Sequence, residues 1–207
     1  MSARQLTLLK AAIFVLALGP FVYLLWGVFL RPDWLGANPA EYITRMTGDW
    51  ALRFLLITLS VTPLRKWSGW HWLIRLRRML GLYAFFYVCV HFLSFIAFDH
   101  VFDVAEILKD IAKRPFITIG FTAFLLLIPL AVTSTNAMVR RLGGKRWAAL
   151  HRLVYPIAVL GVLHFWLMVK RDVTEPAIYA CILALLLGYR VLNARRKAVA
   201  LTQTQTP

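Results

Sequence analysis

Three of the five histidines in this 207-residue chain stand inside apolar stretches, and an ionisable ring at membrane depth is costly enough to suggest a task. His91 lies in the run 79–98, and His151 and His164 share the run 147–169. Neutral imidazole is a standard axial ligand of haem iron. A lone histidine in a membrane helix reads better as a satisfied polar contact, but three on two helices at matching depths favour ligation. With a helix rise of about 1.5 Å per residue, His91 sits about 10 Å inside one end of its span and His164 about 8 Å inside the end on the same side. His151 precedes His164 by 13 residues, which places it about 20 Å away towards the opposite face. That layout suits one bis-histidine iron near one face and a second redox site near the other.

The neighbours of these histidines admit two readings. Phe85, Phe86, Phe92, Phe95, Phe165 and Trp166 could wall a porphyrin or simply face lipid. Gly161, one turn before His164, could admit a flat ring or a neighbouring helix. On one ideal helix His151 and His164 would lie roughly 140° apart in azimuth, a mismatch that a kink at Pro156 would relax. His151 also lacks a histidine partner, because the matching inner position on the preceding histidine span falls at Arg77–Arg78. Arg77, Arg78 and Arg152 are suited to pairing with haem propionates or a flavin phosphate. His71, among Trp67, Trp70 and Trp72, reads as an interfacial residue, and His100 as a solvated one.

The elements that position these side chains are membrane helices. Sixty per cent of the residues are hydrophobic and the mean hydropathy is +0.68, so the class is an all-α integral membrane protein. Runs long enough to cross a bilayer core of about 30 Å occur at 11–30, 79–98, 115–139 and 147–169. Two weaker runs, 50–64 with Arg53 and 174–192 with Glu175 and Arg190 at its ends, complete an expected bundle of six transmembrane helices. Residues 1–200 then form a single domain, followed by a polar tail at 201–207 that is expected to be disordered.

Charge sets the expected orientation. If the segments around residues 4–10, 65–78, 140–152 and from Arg190 onwards face the cytoplasm, that side holds 16 of the 24 Lys and Arg residues and none of the nine acids. Both termini are then cytoplasmic. The net charge of +15 is thereby explained by anionic lipid headgroups, with no nucleic-acid partner required. The opening basic-to-apolar stretch is too long for a secretory h-region and reads as an uncleaved span. Cys89 and Cys181 fall inside spans and suggest no disulfide framework.

Several segments also carry a family likeness: RLRRMLGLYAF at 75–85, HFLSF from His91, RPFITIG at 114–120, LAVTSTNAMVRRLGGKRWAALHRLVY at 130–155, and LHFW at 163–166. Over nearly the whole chain the sequence resembles the membrane subunits of the bacterial methionine sulfoxide reductase system, within the ferric reductase-like transmembrane domains. Those domains hold stacked b-type haems between paired histidines, and this chain matches three of the four usual positions, at His91, His151 and His164. The resemblance implies haem b, with FMN as a further cofactor, in a bacterial inner-membrane protein. It also implies a periplasmic molybdopterin partner, MsrP, which repairs oxidised periplasmic proteins, and a donor that is the quinone pool or a cytoplasmic flavin reductase. No nucleotide-binding fingerprint is present, so oxidation of NAD(P)H by this chain alone is not expected. Two other readings stay open: a self-sufficient ferric-reductase-type oxidoreductase, which would need its own flavin domain, and a transporter or proton relay using the buried histidines.

Overall fold

The computed structural model describes residues 1–203, with side chains as far as Arg196, and these residues form a helical bundle without strands. Helix α1 spans Ala3–Leu30, α2 Pro39–Ser68, α3 Arg77–Ser94, α4 Val104–Lys113 and α5 Pro115–Val132. They are followed by α6 Asn136–Leu142, α7 Gly144–Leu150, α8 Val154–Met168 and α9 Thr174–Gln203. Five stretches are long and apolar enough to cross a membrane: Ala3–Leu30, Arg77–Asp99, Pro115–Val132, Gly144–Met168 and Thr174–Arg196. This is a multi-pass membrane architecture. The sixth expected span corresponds to α2, whose polar first half dilutes its apolar character.

Local chemistry explains most of the boundaries. Ser2 and Gln5 close a reciprocal cap on α1, each backbone N–H donating to the other's side chain. Asn38 caps α2 by accepting from the Glu41 N–H, Pro39 supplies the first helical residue, and Gly69 ends the helix with φ +72°, a conformation a Cβ disfavours. Arg114 is extended ahead of Pro115, as a residue before proline must be, so α4 and α5 are separate helices. Asp172 accepts from the Thr174 side chain and backbone at the start of α9, which holds its carboxyl below the usual range.

The core lies between α2, α3, α5 and α8. Tyr87 and Ala158 are fully buried there, with Phe54, Leu55, Leu59 and Ile157 around them. Although α2 is the least apolar of the long helices, it is the one most enclosed by its neighbours, with Ile43, Thr47, Leu52, Phe54, Leu55 and Leu59 all buried. Its Arg53 donates to the Tyr179 hydroxyl at 2.9 Å and lies over the Trp50 ring, so the charge that weakened the span is held inside the bundle. By contrast, α1 and α9 expose Leu16, Phe29, Leu185 and Leu192 as lipid-facing surface.

Four sequence expectations need correction. The span expected over 115–139 stops at Val132, because the Thr133 hydroxyl folds back on the Pro129 carbonyl and a new helix begins at Asn136. The span expected over 147–169 holds as the continuous stretch Gly144–Met168, but it is not one ideal α-helix: it tightens to a 3₁₀ turn at His151–Leu153, just ahead of Pro156. His151 and His164 therefore share one continuous helical stretch, but the 3₁₀ turn between its parts means that the azimuth of one ideal helix does not relate them. His100 is not solvated: its side chain is 9% exposed, stands edge-on to Phe95 at 4.7 Å, and lies 3.2 Å from Asp110 of α4. The turn that returns the chain over it places Val101 and Phe102 at positive φ. Of the polar tail expected at 201–207, the first three residues continue α9, and 204–207 lie outside the described residues.

Candidate functional site

Two cavities open towards opposite ends of the bundle. The first, about 280 Å³, is enclosed by α2, α3, α5 and α8 and contains His91 and His164. The second, about 260 Å³, lies near the start of α3 and the end of α5 and contains His151, Arg77 and Arg78. Leu55 and Leu127 line both, so a thin apolar wall separates them.

In the first cavity the two imidazoles, brought from α3 and α8, face each other with centroids 6.1 Å apart and planes 74° apart. His91 Nδ1 donates to the Thr44 carbonyl of α2 at 2.8 Å, and His164 Nδ1 donates to the Phe116 carbonyl of α5 at 2.7 Å. A carbonyl can only accept, so Nδ1 carries the proton in both rings and each neutral imidazole keeps its free lone pair on Nε2. Phe92, Phe121 and Phe124 pack on one another beside the rings, and Leu52, Ile157 and Phe165 complete the apolar lining. Arg45 and Arg114 stand at the mouth with Asp49, Asp99 and Glu175, so cations and anions share the rim.

The pair fits one iron held from both sides. With a metal–imidazole nitrogen bond of about 2 Å and each centroid about 1 Å further back, opposed rings stand about 6 Å apart. The observed centroid spacing agrees. Gly48 and Gly120 lie against these rings, and a Cβ at Gly120 would come within 2.8 Å of His164 Nδ1. Among the described residues there is no cluster of three or more His, Cys, Asp or Glu side chains suited to a metal ion, so the donor set is two imidazoles and the apolar walls around them. That is a donor set for haem rather than for a bare cation.

The second cavity is built differently. His151 Nε2 lies 3.1 Å from the Thr133 hydroxyl, and the Trp147 ring stacks on the imidazole at 3.9 Å. The Trp147 indole N–H donates to the Thr133 carbonyl, so the end of α5 and the start of the last histidine segment are tied together. Arg77 and Arg78 enter from α3, and Arg78 also donates to Asn136 Oδ1 at 2.7 Å. Arg152, expected with them, is exposed and does not line the cavity.

The structure thus brings His91 together with His164, and His151 together with Arg77 and Arg78. Phe85 lines the second cavity, and Phe92, Phe95 and Phe165 line the first; Phe86 instead packs on Phe21 of α1, and Trp166 is exposed. Gly161 lines the first cavity and also meets Leu52 at ordinary contact distance. Sequence reasoning missed Thr44, Gly48, Phe116 and Gly120, which touch the imidazoles from neighbouring helices. The only signal available was the presence of glycine inside two long helices, where it costs about 1 kcal/mol relative to alanine.

Comparison with known proteins agrees with this geometry. Residues 47–162 match the family described as the ferric reductase like transmembrane component. A protein of Herminiimonas arsenicoxydans is 62% identical over 95% of this chain and 90% of its own length, and is named protein-methionine-sulfoxide reductase heme-binding subunit MsrQ. Proteins of the same name from Rhodospirillum rubrum, 57% identical over 91% of this chain and 89% of theirs, and from Ralstonia nicotianae, 55% identical over 95% and 93%, are similarly close.

Proposed function

We propose, for a chain that belongs to the ferric reductase-like transmembrane family and within it to the MsrQ subunits, that it is the haem b-carrying electron-transfer subunit of a methionine sulfoxide reductase system. The observation that carries this reading is the opposed pair His91 and His164, with their centroids 6.1 Å apart and both Nδ1 atoms committed to backbone carbonyls. Haem bound there supplies reversible one-electron storage. His91 and His164 hold it through Nε2, the carbonyls of Thr44 and Phe116 fix ring tautomer and direction, and the phenylalanines keep water from the ring edges.

The second cavity is the inner relay. Arg77 and Arg78 neutralise the propionates of a second haem or the phosphate of FMN, with His151 as ligand or hydrogen-bond partner. Arg152 stands outside that cavity and serves the lipid interface beside it.

In this reading α2 is the sixth span, residues 1–200 act as one transmembrane domain, and both termini face the cytoplasm of a bacterium whose inner membrane holds the protein. Electrons enter at the inner cavity from the quinone pool or a cytoplasmic flavin reductase. They leave from the outer haem to the periplasmic molybdopterin subunit MsrP, which reduces methionine sulfoxide in oxidised proteins. The purified protein should show the bands of a reduced b-type haem on addition of dithionite. A colourless protein with intact fold would overturn the proposal.

A further inference from the structure

We propose that Gly48 and Gly120 are positioning residues for the two imidazoles, each keeping open the backbone carbonyl that holds a ring in place. The inference rests on the haem reading of the His91–His164 site and adds to it the residues that set ligand direction.

The same unit occurs twice. The Thr44 carbonyl accepts from His91, and Gly48 follows four residues later on α2. The Phe116 carbonyl accepts from His164, and Gly120 follows four residues later on α5. In an α-helix the carbonyl of residue i already accepts the N–H of residue i+4, so a second donor must approach its other lone pair from outside the helix. The Cα–Cβ bond of residue i+4 tilts towards the N-terminus and covers that approach. A slim hydroxyl can still reach such a carbonyl past a Cβ, as Tyr83 reaches that of Phe14 past Leu18, but the broad imidazoles here lie where a Cβ would stand.

The distances agree with this account and rank the two positions. A Cβ on Gly48 would lie 3.1 Å from both Cε1 and Nδ1 of His91, tight enough to push the ring by a few tenths of an ångström. A Cβ on Gly120 would lie 2.8 Å from Nδ1 and 2.9 Å from Cε1 of His164, closer than a carbon can stand. Both clashes fall on the nitrogen that donates to the carbonyl. An alanine therefore has to break or bend that hydrogen bond and turn the imidazole. Gly161 and Gly81 differ, since a Cβ there meets Leu52 and Thr58 at ordinary contact distances of 3.5 and 3.6 Å.

Two properties of bound haem should follow. Donation from Nδ1–H to a carbonyl makes the imidazole a stronger electron donor and favours the ferric state, so losing it raises the potential. The angle between the two imidazole planes, 74° here, sets the anisotropy of the low-spin ferric signal, so turning one ring moves that signal.

The test compares Gly48→Ala, Gly120→Ala and the control Gly188→Ala, a position of α9 outside both cavities where a Cβ meets nothing within 4 Å, in the purified full-length protein. Readouts are the haem midpoint potential, the low-temperature EPR spectrum and the rate of haem loss to apomyoglobin. Gly120→Ala should raise the potential, shift the ferric signal and weaken haem retention by about 10–100-fold, as loss of a histidine's outer partner does elsewhere. Gly48→Ala should move all three in the same direction and by less, while Gly188→Ala stays at the wild-type values. If Gly120→Ala does not accumulate, the milder Gly48→Ala decides. Wild-type potential and EPR signal in haem-loaded Gly48→Ala, or an equal shift in Gly188→Ala, would overturn the inference. A wild-type protein that lacks the bis-histidine signal would instead sink the haem reading beneath it.

Discussion

Each histidine in this chain has a neighbourhood that decides what it can do. His91 and His164 line one cavity and keep Nε2 free as a donor atom because their Nδ1 atoms are bound to carbonyls. His151 has one nitrogen at a threonine hydroxyl and one face under an indole, which suits orientation as well as ligation. His91→Ala or His164→Ala should therefore remove most of the haem while the protein still inserts, as read by haem absorbance per purified protein. Full occupancy in both variants would contradict the assignment. His151→Ala should keep the outer haem and slow its reduction from the inner side in a stopped-flow measurement with a quinol. Unchanged reduction, with only one redox centre per chain, would remove the inner relay.

A proline within a long helix frees a carbonyl, and at Pro63 another helix satisfies it. Pro63 cannot supply the N–H that the Leu59 carbonyl would normally accept, and Arg190 of α9 donates to that carbonyl instead. In a membrane such a group finds no water, so its partner must come from the protein. Arg190→Leu should lower stability by about 1–3 kcal/mol in thermal unfolding in detergent, the cost of an unsatisfied buried acceptor. Pro63→Ala in the same background should restore much of it by returning the N–H. Additive losses in the double variant would refute the account. Near Pro20 the Tyr87 hydroxyl inserts into α1, accepting from the Phe21 N–H at 3.2 Å and donating to the Ala17 carbonyl at 2.7 Å. That hydroxyl fastens the otherwise lipid-exposed α1 to α3, and Tyr87→Phe should loosen α1 first, seen as faster hydrogen exchange around residues 17–21.

Across the whole molecule the two cavities give the bundle a direction, one near each end with an apolar wall between them. If α2 crosses the membrane as proposed, the chain crosses six times and tags on its two ends are digested by protease from the same side of sealed vesicles. Five crossings would leave the tags on opposite sides. The electron path has its own test in vesicles of known sidedness. The chemically reduced protein should be reoxidised by the periplasmic reductase subunit with methionine sulfoxide only from the side carrying α4. Equal reoxidation from the side carrying Arg77 and Arg78, or none with that partner, would overturn the direction.

Much of this design was legible in the residues alone. Hydropathy is a property of local composition, so the apolar blocks, the membrane class and the asymmetric distribution of basic residues can be read without coordinates. Helix rise is constant, so His91 and His164 could be set at one depth and His151 at another from their positions along the chain. The shared family motifs are equally local. What could not be read is which backbone lies beside which side chain. Thr44 and Phe116 act through their carbonyls, which every residue possesses, from 47 and 48 positions away in the chain. Gly48 and Gly120 act through an absent Cβ, and its absence has meaning only once another helix is packed against it. The 3₁₀ turn at His151–Leu153, the burial of His100 under α4 and the separation of Arg152 from the inner cavity have the same origin. Each depends on contacts between segments remote in sequence, and helix packing alone sets those contacts.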